Sequence, residues 1–287
     1  MPTELPGDEN TYILDSENAA EMARLIAQDR LITQGMGGLF PEQTDTSNFR
    51  DILDVACGPG RWVCDVAFTH PDATVTGIDI SNKMIEYARA MAWSQRLENA
   101  RFQVMDALKP LDFPDNSFDL VNARFLVAFM PKTAWPKFLE ECVRITRPGG
   151  IIRLTEFDEP GTTNSPAFAR WMELTFRAIQ FAGLCMSPDG HNFGVTPLLR
   201  RFLLDAGCQD IGQKSHFIDF SINTPAYSSM YSNCEVAFRE VQPFMVKMKV
   251  ATPEEIEQSY QDMLLEMRSN EFYALWYYLT AWGQKPR

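Results

Sequence analysis

The chain has 287 residues, 45% of them hydrophobic and 22% charged, which is typical of a folded globular protein. Its formal net charge of −12 disfavours nucleic acid as a partner, because an acidic surface repels phosphate backbones. No apolar run approaches the roughly 18 residues of a membrane helix, and the first residues lack an export pattern. The 6 cysteines are scattered without metal-ligand spacing. We expect a cytoplasmic protein with no metal, no membrane partner and no nucleic-acid partner.

The first half of the chain predicts one helix followed by alternating strands and helices. Residues 1–50 carry a helix signal that Asn18 can cap and that ends at Gly35–Gly38. Residues 51–156 alternate short apolar runs with helical stretches, which is typical of βαβ units. The predicted strands are Ile52–Val55, Thr74–Ile78, Phe102–Met105, Leu120–Asn122 and Ile151–Thr155, and the predicted helices follow Pro59, begin at Ser81 and run from about Thr133 to Thr146.

The second half predicts helices that begin at a hydroxyl cap followed by proline. These starts are Ser165-Pro166, Thr196-Pro197, Thr224-Pro225 and Thr252-Pro253, the last with Glu255 completing a capping box. Two further strands are predicted at Ile211–Phe220 and Tyr273–Trp282.

The fold class that follows is α/β, a Rossmann-like, seven-stranded, mostly parallel sheet with helices on both faces and an inserted helical cap. We expect one domain over residues 1–287, because no linker composition divides the chain. Its predicted parts are an N-terminal helical segment (1–50), a cofactor-binding core (51–156), cap insertions (157–210 and 223–271) and closing strands (211–222 and 272–287).

Three successive strand ends carry a nucleotide-binding pattern. The segment Asp54–Gly60 runs from an apolar strand through a small-residue turn into a helix, which lets a ligand approach the backbone. Such glycines also occur purely for packing. Asp79 ends the next strand, 21 residues after Gly58, where a carboxylate can bind both ribose hydroxyls of an adenosine. Asp106 ends the third strand and can accept a hydrogen bond from adenine. Together they predict a crevice that holds an adenosine.

The turn does not match a dinucleotide site well. The nicotinamide pattern needs a small residue at its third glycine position, where this chain has Val63, and Trp62 crowds the turn. The residues instead resemble class I S-adenosylmethionine-dependent methyltransferases of the ubiquinone/menaquinone-type, small-molecule branch. The segments that carry the resemblance are Asp54–Gly60, Asp79, Asp106 with Ala107, Pro114–Val121, Arg147–Gly150 and the closing Ala281–Pro286, and the one departure is Ala56 in place of the first glycine.

The resemblance implies S-adenosylmethionine as cofactor, with S-adenosylhomocysteine as product. Tyr12 is an additional candidate, because its segment can fold across the site. The predicted cofactor-binding residues are Tyr12, Ala56, Gly58, Gly60, Asp79, Ile80, Met84, Asp106, Ala107 and Asn122.

Methyl transfer from a sulfonium requires alignment and exclusion of water, and it needs a base only for a weakly acidic acceptor. His191, in a turn-rich loop, is the predicted base or substrate ligand; the alternative is an ordinary loop residue. Arg124 can meet the cofactor carboxylate, an anionic substrate or a surface partner. The predicted substrate-binding residues are Arg124, Phe129, Trp171, Tyr227 and Tyr231.

The function predicted from the sequence is methyl transfer to a small molecule, with oxygen as the favoured acceptor atom over carbon or nitrogen. Two alternatives stay open. One is a nicotinamide-dependent oxidoreductase, and the other is a protein of the methyltransferase fold that binds S-adenosylmethionine without transferring its methyl group.

Overall fold

A mostly parallel sheet forms the centre of the computed structural model, which describes residues 19–287. Its order is β3-β2-β1-β4-β5-β8, with β7 and the very short β6 both paired to β8. Strands β1 to β5 pair in parallel, whereas β8 runs antiparallel to β5, β6 and β7. The strands are β1 (Asp51–Val55), β2 (Thr74–Asp79), β3 (Ala100–Val104), β4 (Phe118–Arg124), β5 (Thr146–Glu156), β6 (Thr162–Thr163), β7 (Gln209–Asp219) and β8 (Ala274–Gln284).

Helices cover both faces of this sheet because the strands are apolar on both sides. Ile52 packs in one buried cluster with Trp62 of the following helix, whereas its neighbour Leu53 belongs to the cluster on the opposite face. Successive strand residues point to opposite faces, so a fully buried strand needs apolar residues throughout. The helices are α1 (Ala19–Met36), α2 (Arg61–Thr69), α3 (Asn82–Ser94), α4 (Trp135–Ile145), α5 (Pro166–Phe181), α6 (Leu199–Asp205), α7 (Tyr227–Glu240), α8 (Gln242–Lys247) and α9 (Pro253–Met267).

The predicted fold class is confirmed, with three local differences. The two-residue β6 is an eighth strand that was not predicted, since two threonines give no periodic signal. β3 begins at Ala100 and ends at Val104, ahead of the predicted run. β4 extends through Arg124, because polar residues at its carboxyl end stay hydrogen-bonded in the ladder beside β1 and β5.

Three of the hydroxyl caps form as predicted, and two do not. Ser81 accepts from the Met84 N–H at 3.3 Å, Ser165 accepts from the Phe168 N–H at 2.9 Å, and Thr252 forms the full capping box with Glu255. The Thr224 hydroxyl instead donates to the carbonyls of Asp219 and Ser221, and that of Thr196 donates to Asp158. The Thr224 hydroxyl serves the preceding turn, whereas the Thr196 hydroxyl binds a carboxylate 38 residues earlier in the chain. α7 and α6 each begin three residues after the threonine. The Asn18 cap lies outside the described residues.

The helices of the two predicted cap insertions pack on one another and on the N-terminal helix. α5 contacts α8 and α9, and α7 contacts α1, α8 and α9. The assignment of the whole chain to one domain stays a prediction. Within residues 19–287, no helix combines the length and apolarity needed to cross a membrane.

Candidate functional site

A cavity of about 290 Å³ lies at the carboxyl ends of β1 to β4, between the sheet and the helices α1, α5 and α7. Ligands bind at this edge of open α/β sheets. The residues that line the cavity include a group of charged and small residues and a group of apolar residues, which we call the polar half and the apolar half. The polar half includes Arg24, Gln28, Asp29, Asp54, Ala56, Gly58, Arg61, Asp79, Ile80, Met84, Asp106, Ala107 and Arg124. The apolar half includes Phe125, Phe129, Phe157, Met172, Phe176, Ile179, Phe193, Met230, Cys234, Ala237, Phe238 and Trp276.

The turn between β1 and α2 takes an unusual backbone path. Ala56, Gly58 and Gly60 all have positive φ angles, of 56°, 53° and 77°. A Cβ added at Gly58 would meet only a Leu25 methyl group at 3.9 Å, so the backbone there is open to the cavity. A Cβ at Gly60 would lie 2.6 Å from both the Ala88 Cβ and a Phe102 ring carbon. Gly58 therefore leaves room for a ligand, whereas Gly60, which was predicted to bind cofactor, is required by packing and does not line the cavity.

Asp79 joins the end of β2 to this turn. One carboxylate oxygen accepts from the Gly58 N–H and the other from the Ser81 N–H, both at 2.9 Å. Burial raises the pKa of Asp79, and the backbone hydrogen bonds oppose that rise. A carboxylate has about four acceptor positions, so capacity for two further donors remains. Ile80 and Met84, which follow it in the chain, also line the cavity.

The third strand end places Asp106 and Ala107 in the same wall. Asp106 accepts from the Leu108 N–H at 2.9 Å and lies 3.5 Å from the Lys109 ammonium. These bonds hold the carboxylate beside the turn that follows β3. The three strand ends predicted to form one crevice therefore line one cavity.

Asn122 forms a hydrogen bond to Asp54, which is a residue of the cavity wall. Its side-chain amide donates to Asp54 Oδ1 at 2.7 Å, and the residue is fully buried. Asp54 lines the cavity, but Asn122 does not. Asn122 therefore does not line the cavity as its predicted role requires, and it is linked to the site through its hydrogen bond to Asp54.

Helix α1 supplies a polar wall that the sequence reasoning missed. Arg24, Leu25, Gln28, Asp29 and Ile32 line the cavity at the i, i+4, i+8 spacing of one helix face. In the sequence, the signal for this wall was the presence of charged residues among apolar ones on a single face of the predicted helix. Arg24 forms a bidentate pair with Glu21 at 2.6 and 2.7 Å, and it donates to Asn233 of α7 at 2.8 Å.

Arg124 ends β4 and forms an ion pair with Asp29, with both side chains largely buried. Its guanidinium also lies 5.6 Å from the centre of the Trp62 ring. Attraction to Asp29 and Asp54 outweighs burial and raises the pKa of Arg124. The second Asp29 oxygen and Arg124 Nε have no hydrogen-bond partner in the described residues. The site thus contains a buried cation beside two carboxylates.

Aromatic side chains from distant segments form the apolar half. Phe157 packs edge-to-face on Phe125 and Phe193, with ring centres 5.0 and 5.6 Å apart. Phe125 has a positive φ of 59°, and the Glu156 carboxylate accepts from the next two N–H groups, of Leu126 at 2.8 Å and Val127 at 3.3 Å. Glu156 thereby fixes the turn that brings Phe125 and Phe129 to the cavity.

Three predicted substrate residues lie elsewhere. Trp171 is fully buried against Phe238 and Tyr260, Tyr227 donates its hydroxyl to the Met267 carbonyl at 3.0 Å, and the Tyr231 hydroxyl accepts from Arg268 at 2.8 Å. None of the three lines the cavity. They join the cap helices to one another, which their aromatic character alone did not reveal.

His191, the predicted base, is exposed and is not among the residues that line the cavity. Its backbone N–H donates to Asp189 in a local turn. Because a base must come within hydrogen-bond reach of the acceptor, this placement does not support the predicted role. Tyr12 lies outside the described residues.

Comparison with known proteins agrees with this geometry. Residues 52–150 match the family model described as a methyltransferase domain. The chain is 34% identical to a demethylmenaquinone methyltransferase of Staphylococcus aureus over 128 residues, which are 44% of this chain and 50% of that protein. The chain therefore spans about half the length of the curated relatives that it matches.

Two solved structures show the same fold. A phosphoethanolamine N-methyltransferase of Haemonchus contortus, bound to S-adenosylhomocysteine, aligns with a TM-score of 0.56 and 16% identity, over 96% of this chain and 60% of the other. A protein of Bacillus halodurans described as a methyltransferase aligns with a TM-score of 0.54 and 17% identity, over 87% of this chain and 97% of the other.

Fold and site together define a nucleotide-binding α/β protein with a covered cavity at the switch point of its sheet. Residues 52–150 resemble the methyltransferase domain of the class I S-adenosylmethionine-dependent superfamily, and the cofactor that this resemblance implies is S-adenosylmethionine. The residues present fit that group. Asp79 keeps acceptor capacity for a ribose diol, the backbone at Gly58 is open, and the orphaned oxygen of Asp29 and Nε of Arg124 suit an ammonium and a carboxylate.

Proposed function

We propose that this protein transfers the methyl group of S-adenosylmethionine to a small, largely apolar acceptor. The observation that carries the proposal is one cavity whose lining combines charged residues from the strand ends and α1 with apolar residues from α5, α7, β8 and the segments after β4 and β5. Small-molecule sites combine such apolar walls with a few converging polar groups.

The chain's own residues bind, orient and exclude water. Asp79 and Asp106 hold the adenosine part, and Asp54, Asp29 and Arg124 hold the charged amino acid part. When bound, S-adenosylmethionine supplies a methyl group that is already activated on a sulfonium. The aromatic wall from Phe125 to Trp276 then excludes water and aligns the acceptor, which is the main requirement of the reaction.

Oxygen is the acceptor atom that we favour, in the form of an acidic hydroxyl such as a phenol or an enol. Among the described residues that line the apolar half there is no histidine, lysine or carboxylate to act as a strong base. Burial raises the pKa of the Cys234 thiol to about 12, so this thiol stays protonated at neutral pH. An acceptor that ionises readily fits such a wall. The name of the Staphylococcus relative, a demethylmenaquinone methyltransferase, supports a small-molecule acceptor.

The test is product analysis. The protein is incubated with S-adenosylmethionine and a panel of phenols, naphthols, enols and matched amines, and S-adenosylhomocysteine and the methylated product are quantified by mass spectrometry. We expect acceptor-dependent S-adenosylhomocysteine and a product that is heavier by one methylene group, with hydroxyl compounds preferred. Preferred amines would overturn the choice of oxygen.

Two further outcomes address the alternatives. If S-adenosylmethionine binds but no acceptor of any class yields S-adenosylhomocysteine, the protein uses the cofactor for other work. Thermal protection by NADH and none by S-adenosylmethionine would identify an oxidoreductase instead.

A further inference from the structure

A chain of four hydrogen-bonded side chains crosses the sheet beneath the polar half of the cavity. In the strand register, Asp54 of β1 faces Asn122 of β4, and Asn122 faces Arg153 of β5. Arg153 donates to Asn122 Oδ1 at 2.7 Å, and Asn122 donates to Asp54 Oδ1 at 2.7 Å. At the far end, Arg153 pairs with Glu42, with Nε 2.5 Å from Oε1.

Burial of these charged side chains costs free energy, which points to a role beyond holding the strands together. The side chains of Arg153 and Glu42 are 0% exposed, and Asp54 is 2% exposed. An apolar pair of similar size commonly stabilises a protein as well as a buried ion pair does. The ion pair, however, fixes the direction of the Asn122 amide. With Arg153 donating to its oxygen, the amide NH₂ group must face Asp54.

Asp54 is close to losing its charge. Burial raises the pKa of Asp54 to about 6, and the charged group that lowers it most is Arg124, followed by the Asn122 hydrogen bond. Asp29 raises this pKa and Arg153 lowers it, while Cys57 also lies close enough to interact with Asp54. A neutral Asp54 could not attract a cation, so loss of the Asn122 hydrogen bond, which raises this pKa further, lowers the ionised fraction of Asp54 near pH 6.

We propose that Arg153, anchored by Glu42, is a positioning residue that orients Asn122 so that Asp54 presents an ionised carboxylate to the ammonium end of the cofactor. This role requires S-adenosylmethionine as cofactor, as the proposed function does, and it is independent of the acceptor. It also gives Asn122 and Glu42, which do not touch the cavity space, a part in cofactor binding.

The test is the pH dependence of S-adenosylhomocysteine binding, measured by titration calorimetry between pH 5.5 and 8.5. The double variant Glu42→Gln/Arg153→Met removes both charges and leaves no unpaired ion. We expect its affinity to be at least twofold weaker at pH 6.0 and native-like at pH 8.5, because the midpoint of binding rises by about half a pH unit or more. Arg153→Lys, which keeps the charge, should give a smaller shift in the same direction.

Arg147→Met is the matched control. Arg147 lies on the same strand and pairs with Asp51 and Asp119, both at 2.8 Å, but at the opposite end of the sheet. Its pH profile should follow that of the unmodified protein. An unchanged profile in the double variant, or an equal loss at every pH, would overturn the proposal. Thermal unfolding shows whether each variant folds. If the double variant does not fold, the pH profile of Arg153→Lys provides the test instead. Failure of the unmodified protein to bind would count against the proposed function instead.

Discussion

The two halves of the cavity are built in different ways. In the polar half, Asp79 and Asp54 are fixed by hydrogen bonds of 2.7 to 2.9 Å from backbone N–H or side-chain amide groups. In the apolar half, Phe125, Phe193 and Trp276 come from separate segments, and the ring of each packs on Phe157. Hydrogen bonds fix direction, whereas packing fixes mainly volume. We therefore expect changes in the polar half to alter cofactor binding, and changes in the apolar half to alter acceptor binding.

The largest expected effect concerns Gly60, which supports the turn of the polar half by packing beneath it. Gly60→Ala should lower the free energy of unfolding by about 3 kcal/mol, because it combines a positive φ with contacts of 2.6 Å to Ala88 and Phe102. Gly183→Ala is the matched control, since it has a positive φ of 74° and open space around it, and it should cost only about 1 kcal/mol. Urea denaturation measures both. Equal losses would show that packing at Gly60 is unimportant.

The next effect concerns the turn that carries the apolar half. Burial raises the pKa of Glu156 from its ordinary value of 4.5 to about 8. A carboxyl that holds its proton longer when folded contributes stability that is complete below pH 4.5 and is lost as the pH rises to about 8. Glu156→Gln should therefore reduce the difference in unfolding free energy between pH 5 and pH 8 by as much as about 3 kcal/mol.

Denaturation curves at the two pH values measure this change, and the exposed Glu254→Gln serves as the control. If the pH dependence of the unfolding free energy persists in Glu156→Gln, another titratable group is responsible for it. Acceptor binding should change little at pH 7, since the single glutamine oxygen can still accept the shorter of the two hydrogen bonds, from the Leu126 N–H.

Asp79→Ala tests the polar half directly. It removes the acceptor for the ribose hydroxyls and the hydrogen bonds to Gly58 and Ser81. We expect at least tenfold weaker binding of S-adenosylmethionine by calorimetry, or about 1.4 kcal/mol. Asp205→Ala, which removes an exposed ion pair with Arg201, should leave the affinity unchanged. Native affinity in Asp79→Ala would remove this residue from the site.

The smallest effect is expected in the apolar half. Ala237→Phe adds bulk to the wall formed by α7, so it should weaken binding of an uncharged naphthalene probe about fivefold, or about 1 kcal/mol. Fluorescence titration measures the probe, and calorimetry should show unchanged affinity for S-adenosylhomocysteine. Ala90→Phe, at an exposed position of α3, is the control. Parallel loss of both ligands in Ala237→Phe would show that the two halves are not independent.

Local signals explain which parts of the site could be predicted. Ala56, Gly58 and Asp106 lie within three residues after the ends of β1 and β3, and Asp79 is the last residue of β2. Parallel neighbours bring such strand ends to one edge of the sheet. Gly60 shared the motif, yet its role depends on Ala88 and Phe102, which are far away in sequence. The motif therefore identified the turn without distinguishing the glycine that faces the cavity from the one that packs.

The aromatic residues show the opposite case. Phe129 lines the cavity, whereas Trp171 and Tyr231 join the cap helices, although all three are large residues in helical or turn segments. Their direction depends on how α5, α7 and α9 pack. His191 likewise lies in a loop whose position relative to the cavity no local pattern reveals.

The sequence by itself determined the α/β class, the order of strands and helices in the first half and the acidic strand ends, because these depend on period, caps and turn chemistry within a few residues. Tertiary structure alone decided that α1 contributes Arg24 and Asp29 to the cavity and that Glu42 and Arg153 stand behind Asp54. Those contacts join residues up to 111 positions apart. Only the packed sheet brings such groups within hydrogen-bond distance.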